Sequence, residues 1–156
     1  SCVLAKKKQK KIYSHAFIMN LNFIKSLKPL FLFIFSILNL VCSIFVLSYI
    51  AHTKNLSLDF NSSIFFAINI QQIHGIALLF SSALLLVKNS FLLTVSSLSF
   101  CMGIVLFSLN IYISIFFNIN NFSQLIPFGG ILLFVGWITL IIAGIYFFSL
   151  KNNHLK

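Results

Sequence analysis

Four long stretches without a charged residue dominate this chain. Pro29 to Ala51 is a run of 23 such residues, and comparable runs extend from about Ile64 to Val87, Phe91 to Phe117 and Pro127 to Leu150. At 1.5 Å per residue the shortest of them makes a helix of about 34 Å, enough to cross a hydrocarbon core of about 30 Å with modest tilt. Polar segments separate the runs: Asp59-Phe60-Asn61, Lys88-Asn89, Asn118-Ile119-Asn120-Asn121 and, after the last, Lys151-Asn152-Asn153. Pro127 opens the fourth run, where a proline suits a first helical turn. In lipid the backbone has no water to bond, which leaves only helices or closed barrels. No two-residue alternation runs through these segments, so they read as helices and not as barrel strands. The predicted fold class is an all-α membrane protein, a four-helix transmembrane bundle.

Composition removes the soluble alternative. Hydrophobic residues make up 60% of the 156 and charged residues 8%, where a soluble domain carries about 25% charged residues. A chain of this length cannot hide so much apolar surface from water. The organisation that follows is a basic leader over 1–28, a membrane domain over 29–150 and a short basic tail over 151–156. Met19 begins a stretch, MNLNFIKSLKPLFLFIF, that suits a start site. Residues 1–18 are then expected to lie upstream of the functional protein, which an intact mass of the native protein checks.

The charge is one-sided in sign and in place. Eleven lysines stand against one acid, Asp59, and seven of the lysines precede the first run. Such a balance suits nucleic acid or anionic lipid, but lysines flanking apolar spans are first of all what sets membrane orientation. With the N-terminus inside, ten lysines lie on the inner side and Lys54 alone on the outer. Both termini are therefore expected on the cytoplasmic side, or on the matrix side in a mitochondrion. Membrane lipids are the expected partners, with other membrane proteins or self-association next, and no nucleic acid.

Within the runs, polar and small residues recur at helical spacing. Ser36, Asn39 and Ser43 do so in the first, and Gln71, His74 and Gly75 share a face of the second. Ser96, Ser99, Gly103, Phe107, Asn110 and Ser114 follow at steps of 3, 4, 4, 3 and 4 in the third, and Gly129, Gly136 and Ala143 lie at seven-residue intervals in the fourth. Such spacing puts one stripe on each helix. Small residues let helix backbones approach, and Ser or Asn can bond between helices. The stripes are expected to face one another, with Phe and Leu outward. Gly136→Leu is expected to damage the contact, and Leu133→Ile to be mild.

Residues able to carry chemistry are few. His52, Asn69, Gln71, Gln72, His74, Asn110 and Tyr112, with Lys54, form a candidate polar cluster towards the outer half. Intramembrane polar groups are functional candidates by default, although mutual satisfaction across helix contacts is the favoured account of them. His52 is expected to meet water at the outer interface. His74 is expected to be buried and bonded to a Ser or Asn on a facing stripe, such as Asn39 or Asn110. No run contains Asp or Glu, so a carboxylate relay or a catalytic triad has no acid. Cys2, Cys42 and Cys101 form no metal-ligand spacing, and the vertical offset of His52 from His74 argues against a shared metal or haem. No cofactor, metal or catalytic residue is expected, and the chain does not read as an enzyme.

Several short motifs resemble one family. Ala51-His52, Gln71 to Leu79 (QQIHGIALL), Gly103 to Ser108 with Tyr112, and Ile126-Pro127-Phe128-Gly129-Gly130 followed by Gly136-Trp137 are similar to the patterns of domain of unknown function 423. The likeness extends over about residues 29–150. Departures fall at Ser48-Tyr49-Ile50, at Leu109-Asn110 and at Ile126. The resemblance implies a four-helix protein of the bacterial inner (plasma) membrane, or of the mitochondrial inner membrane, with no established activity. It also places Gly103, Pro127, Gly129, Gly130, Gly136, Trp137 and, on the same stripe, Ala143 at helix contacts. Three functions compete. They are a non-enzymatic assembly or interaction role, a small transporter or lipid-handling protein with an outward polar cavity around His52, Gln71, His74 and Asn110, and an intramembrane enzyme or redox carrier.

Overall fold

The computed structural model describes residues 2–52, 58–119 and 121–153, with side chains over 27–52, 62–119 and 121–149. The described residues are helical almost throughout. Helix α1 is Cys2–His52, α2 is Leu58–Val87, α3 is Phe91–Ile104, α4 is Asn110–Phe117 and α5 is Ile126–Asn153. A π-helical turn, Val105–Leu109, joins α3 to α4 into one rod, and a 3₁₀ turn, Ser123–Leu125, leads into α5. Four stretches, Leu27–His52, Ser62–Val87, Phe91–Phe117 and Ser123–Ser149, are long and apolar enough to cross a membrane.

The first helix does not begin at Pro29. It runs unbroken from Cys2 with Pro29 inside it, so the carbonyl one turn earlier, at Lys25, lacks its usual N–H partner. At the other end of the rod, Asn118 takes the left-handed conformation (φ 55°) and ends α4. Asparagine tolerates that region better than any β-branched neighbour would.

The helices pack in series, and the expected face-to-face closure of all four stripes is not what is found. Helix α1 lies against α2, α2 against the α3–α4 rod, and the rod against α5, while α1 touches the rod only lightly. Packing gathers in layers along the axis. One layer joins Ile50, Ile64, Ala67, Ile68 and Tyr112. The next joins Ala77, Leu78, Phe100, Ile104 and Leu133, and the third joins Leu32, Leu85, Leu93 and Ala143.

The seam between the rod and α5 is built on glycine. A Cβ at Gly129 would lie 2.7 Å from the Phe107 nitrogen and 3.0 Å from the Leu106 carbonyl carbon, so α5 rests directly on the backbone of the π turn. At Gly103 the Leu133 side chain fills the vacant space, with Cδ2 2.5 Å from where a Cβ would be. At Gly136 the fully buried Phe100 ring does the same at 2.7 Å. In a lipid surrounding there would be no hydrophobic drive to pair such helices, and close packing of this kind would hold them. Gly130 departs from the expectation: a Cβ there meets nothing within 4 Å, because it faces away from the rod. Leu133 is itself a buried knob in this seam.

Candidate functional site

The polar side chains of the spans bond one another in short interhelical links. Near the middle of the assembly, Tyr112 Oη donates to Gln71 Oε1 at 2.5 Å. Gln71 Nε2 donates to the Asn39 backbone carbonyl and to Asn39 Oδ1, both at 2.9 Å. Two acceptors at Nε2 fix the orientation of the Gln71 amide, so Oε1 must face the tyrosine and the phenol must be the donor. Three helices are thus tied by one polar chain. Asn39 Nδ2 is left buried without a partner, pressed against Gly75, where a Cβ would meet it at 2.9 Å.

Serines make the remaining ties. Ser108 Oγ donates to the Ala67 carbonyl at 3.1 Å, Ser96 to the Gly136 carbonyl at 2.9 Å, and Ser97 to Ser81 at 2.9 Å. Ser36 and Ser43 of α1 instead bond carbonyls of their own helix, Phe33 and Leu40. A stripe position in α1 therefore did not mean an interhelical bond.

His74 is buried, as its place beside Gln71 suggests, but its partner is neither Asn39 nor Asn110. Nδ1 lies 2.7 Å from the Ile70 carbonyl one turn back. A carbonyl only accepts, so Nδ1 carries the proton. The ring packs among aromatics, 6.0 Å from Phe100 and 6.1 Å from Trp137 between centroids. Trp137, partly exposed, thereby bridges α2 and α5 with Phe100 edge-on at 5.4 Å.

The remaining predicted members scatter. His52 and Asn69 are exposed and Gln72 is half-buried. Asn110 bonds the Leu106 carbonyl of its own rod at 2.6 Å, and Lys54 lies outside the described residues. Pro127 is exposed, while Ala143 is buried in the third layer. The π turn explains the placement of Asn110. It widens the rod by part of a turn, so the inward face passes from Gly103 and Ile104 to Ser108 and Tyr112. Asn110 and Ser114, which regular helical spacing puts inward, are only half-buried.

A cavity of about 320 Å³ opens beside the polar chain, lined by Asn39, Cys42, Gln71, Val105, Ser108 and Tyr112 among others. Its walls are almost wholly apolar, although Asn39 Nδ2 beside it is buried without a partner. Of the four residues expected to line one polar cavity, Gln71 alone lines this one.

The helices and their internal polar ties define an all-helical chain with four helices of membrane-crossing length and apolarity. A family model described as protein of unknown function (DUF423) matches residues 48–130, a little over half of the chain. The chain belongs to that family. The match is narrower than the 29–150 over which the motifs resemble it, and it takes in α2, the rod and the first turn of α5. No curated protein and no solved structure matches the chain.

Proposed function

We propose that this chain acts by contact, as a non-enzymatic membrane protein that assembles or stabilises a larger membrane complex or its own oligomer. The observation that carries this reading is the closure of the polar groups. Tyr112, Gln71, Ser96, Ser97 and Ser108 bond one another or backbone carbonyls. That leaves the helices as a scaffold whose outer faces are its means of interaction. The reading sets the chain in a bacterial plasma membrane, or a mitochondrial inner membrane, with both termini on the lysine-rich side.

A second reading, a small transporter or lipid-handling protein, draws on the cavity beside Gln71. The two separate experimentally. Purification from native membranes in mild detergent is expected to give a stoichiometric complex or a defined oligomer, with no haem in its spectrum. A lone monomer would count against the contact role. His74→Cys, in a background without Cys42 and Cys101, is expected to resist a water-soluble thiol reagent added from the outer side. Labelling there would replace the contact reading with a polar pathway.

A further inference from the structure

Helices α1 and the α3–α4 rod touch only lightly, and the gap between them is not random. A second cavity of about 730 Å³ lies towards the lysine-rich end of the same seam, lined by Lys28, Leu32, Asn89, Thr94, Leu98 and Cys101 among others. The 320 Å³ cavity continues it, with Phe35, Leu38 and Cys42 from α1 and Val105 and Leu109 from the rod. On α1 the series Lys28, Leu32, Phe35, Asn39, Cys42 advances by steps of four, three, four and three. On the rod Thr94, Leu98, Cys101, Val105, Leu109 advances by four, three, four and four, the last step spanning the π turn. Each series is one helical face, so the two cavities lie end to end in one furrow floored by α2. Near its far end, Tyr49 and Phe116 meet edge to face at 5.9 Å across the same seam.

We infer that this furrow is a binding site for one anionic phospholipid, its phosphate at Lys28 and an acyl chain laid along the seam towards Gln71. Three observations select that occupant. The mouth carries an exposed ammonium with the amide of Asn89 beside it, the Thr94 hydroxyl there already donating to the Ser90 carbonyl at 2.9 Å. Asp59, the chain's sole acid, follows α1 at its opposite end, so the sequence places no carboxylate near Lys28. Basic pockets between membrane helices on that side of a bilayer are suited to lipid phosphates. The walls below the mouth are apolar and open laterally, through Leu38, Leu98 and Leu109, which are exposed on the bilayer-facing surface. From Lys28 to Cys42 the helix rises about 21 Å, past the mid-plane of a core about 30 Å thick. At such depth hydrocarbon fills an open apolar furrow. Gln71 and Tyr112 at its inner end are bonded to each other, and the unpartnered Asn39 Nδ2 is buried against Gly75.

The test is retention of lipid by the full chain. The protein is exchanged in mild detergent against dioleoyl-phosphatidylglycerol or dioleoyl-phosphatidylcholine and read by native mass spectrometry. One phosphatidylglycerol per chain is expected to survive delipidation that strips phosphatidylcholine. Lys28→Gln is expected to weaken that preference about fivefold, the weight of one lysine at an anionic membrane surface. Leu98→Trp, at an exposed position, is expected to fill the furrow and abolish retention while thermal unfolding in detergent stays unchanged. Equal retention of both lipids, or retention undiminished in Leu98→Trp, would overturn the site. So would a lipid-free dimer with the furrow closed by a second copy.

Discussion

The glycine seam gives the sharpest test of the packing, because Gly129 and Gly130 are neighbours with opposite surroundings. A methyl group at Gly129 must enter space already held by the Phe107 nitrogen at 2.7 Å and the Leu106 carbonyl carbon at 3.0 Å. These are backbone atoms of the π turn and cannot rotate aside. At Gly130 the same methyl group meets nothing within 4 Å. Replacing glycine by alanine in a helix gains about 0.5–1 kcal/mol through backbone entropy, and that gain is common to both sites. Overpacking costs about 1–3 kcal/mol. The difference between Gly129→Ala and Gly130→Ala therefore isolates the steric cost, and Gly129→Ala is expected to be less stable by about 1–3 kcal/mol. Reversible unfolding in mixed detergent micelles, followed by Trp137 fluorescence, measures it. Trp137 is the chain's one tryptophan and lies two turns along α5 from the change. Equal stability of the two variants would mean that α5 does not rest on the rod at Gly129, and the seam would have to be redrawn.

Other expectations follow from the same contacts. Tyr112→Phe leaves Gln71 Oε1 buried without its donor and is expected to cost about 1 kcal/mol, between the ~0.6 average for bonds between membrane helices and the ~3 of a wholly unmet buried group. Combined with Gln71→Leu its cost should be less than additive, and strict additivity in the same unfolding assay would show that the pair does not bond. Leu133→Ala, which empties the space at Gly103, is expected to cost about 2–5 kcal/mol, and Leu133→Ile less than about 1.5; no measurable loss from the alanine variant would place Leu133 in lipid. Reporter fusions after Lys156 and within the Asn118 to Gln124 loop are expected on opposite sides of the membrane, and a shared side would overturn the four-span topology.

What the sequence made legible were features that depend on one helix at a time. The charge-free runs mark the four apolar helices, and the seven-residue spacing of Gly129, Gly136 and Ala143 marks a packed face of α5. The π turn was not legible. Val-Leu-Phe-Ser-Leu has no residue that requires it, and its justification lies on another helix, where Gly129 accepts the displaced backbone. Without that turn the face of the rod continues through Asn110 and Ser114, and the predicted polar cluster follows that line. Gly130 misled for a related reason. It adjoins Gly129 in sequence, but one residue is about 100° around a helix, so only one of the pair can meet the rod. The partner of His74 was beyond sequence as well, since a carbonyl one turn back is available to any helical histidine.

Two of the seams, the rod with α5 and the rod with α1, rest on different physics, and that sets how each responds to its surroundings. The rod and α5 are joined by shape: Leu133 in the space at Gly103, Phe100 in the space at Gly136, and Gly129 against backbone. Dispersion contacts of this kind depend little on the dielectric around them. Helix α1 is joined to the rod with few side-chain contacts, and its firmest polar tie to the interior is Gln71 reaching Asn39. That tie is strong only while water is excluded, because water offers both amides alternative partners. The furrow runs along this weaker seam. Whatever fills it keeps water from Gln71 and Asn39, so hydrocarbon in the furrow and the Tyr112–Gln71–Asn39 chain support each other. Loss of one weakens the other.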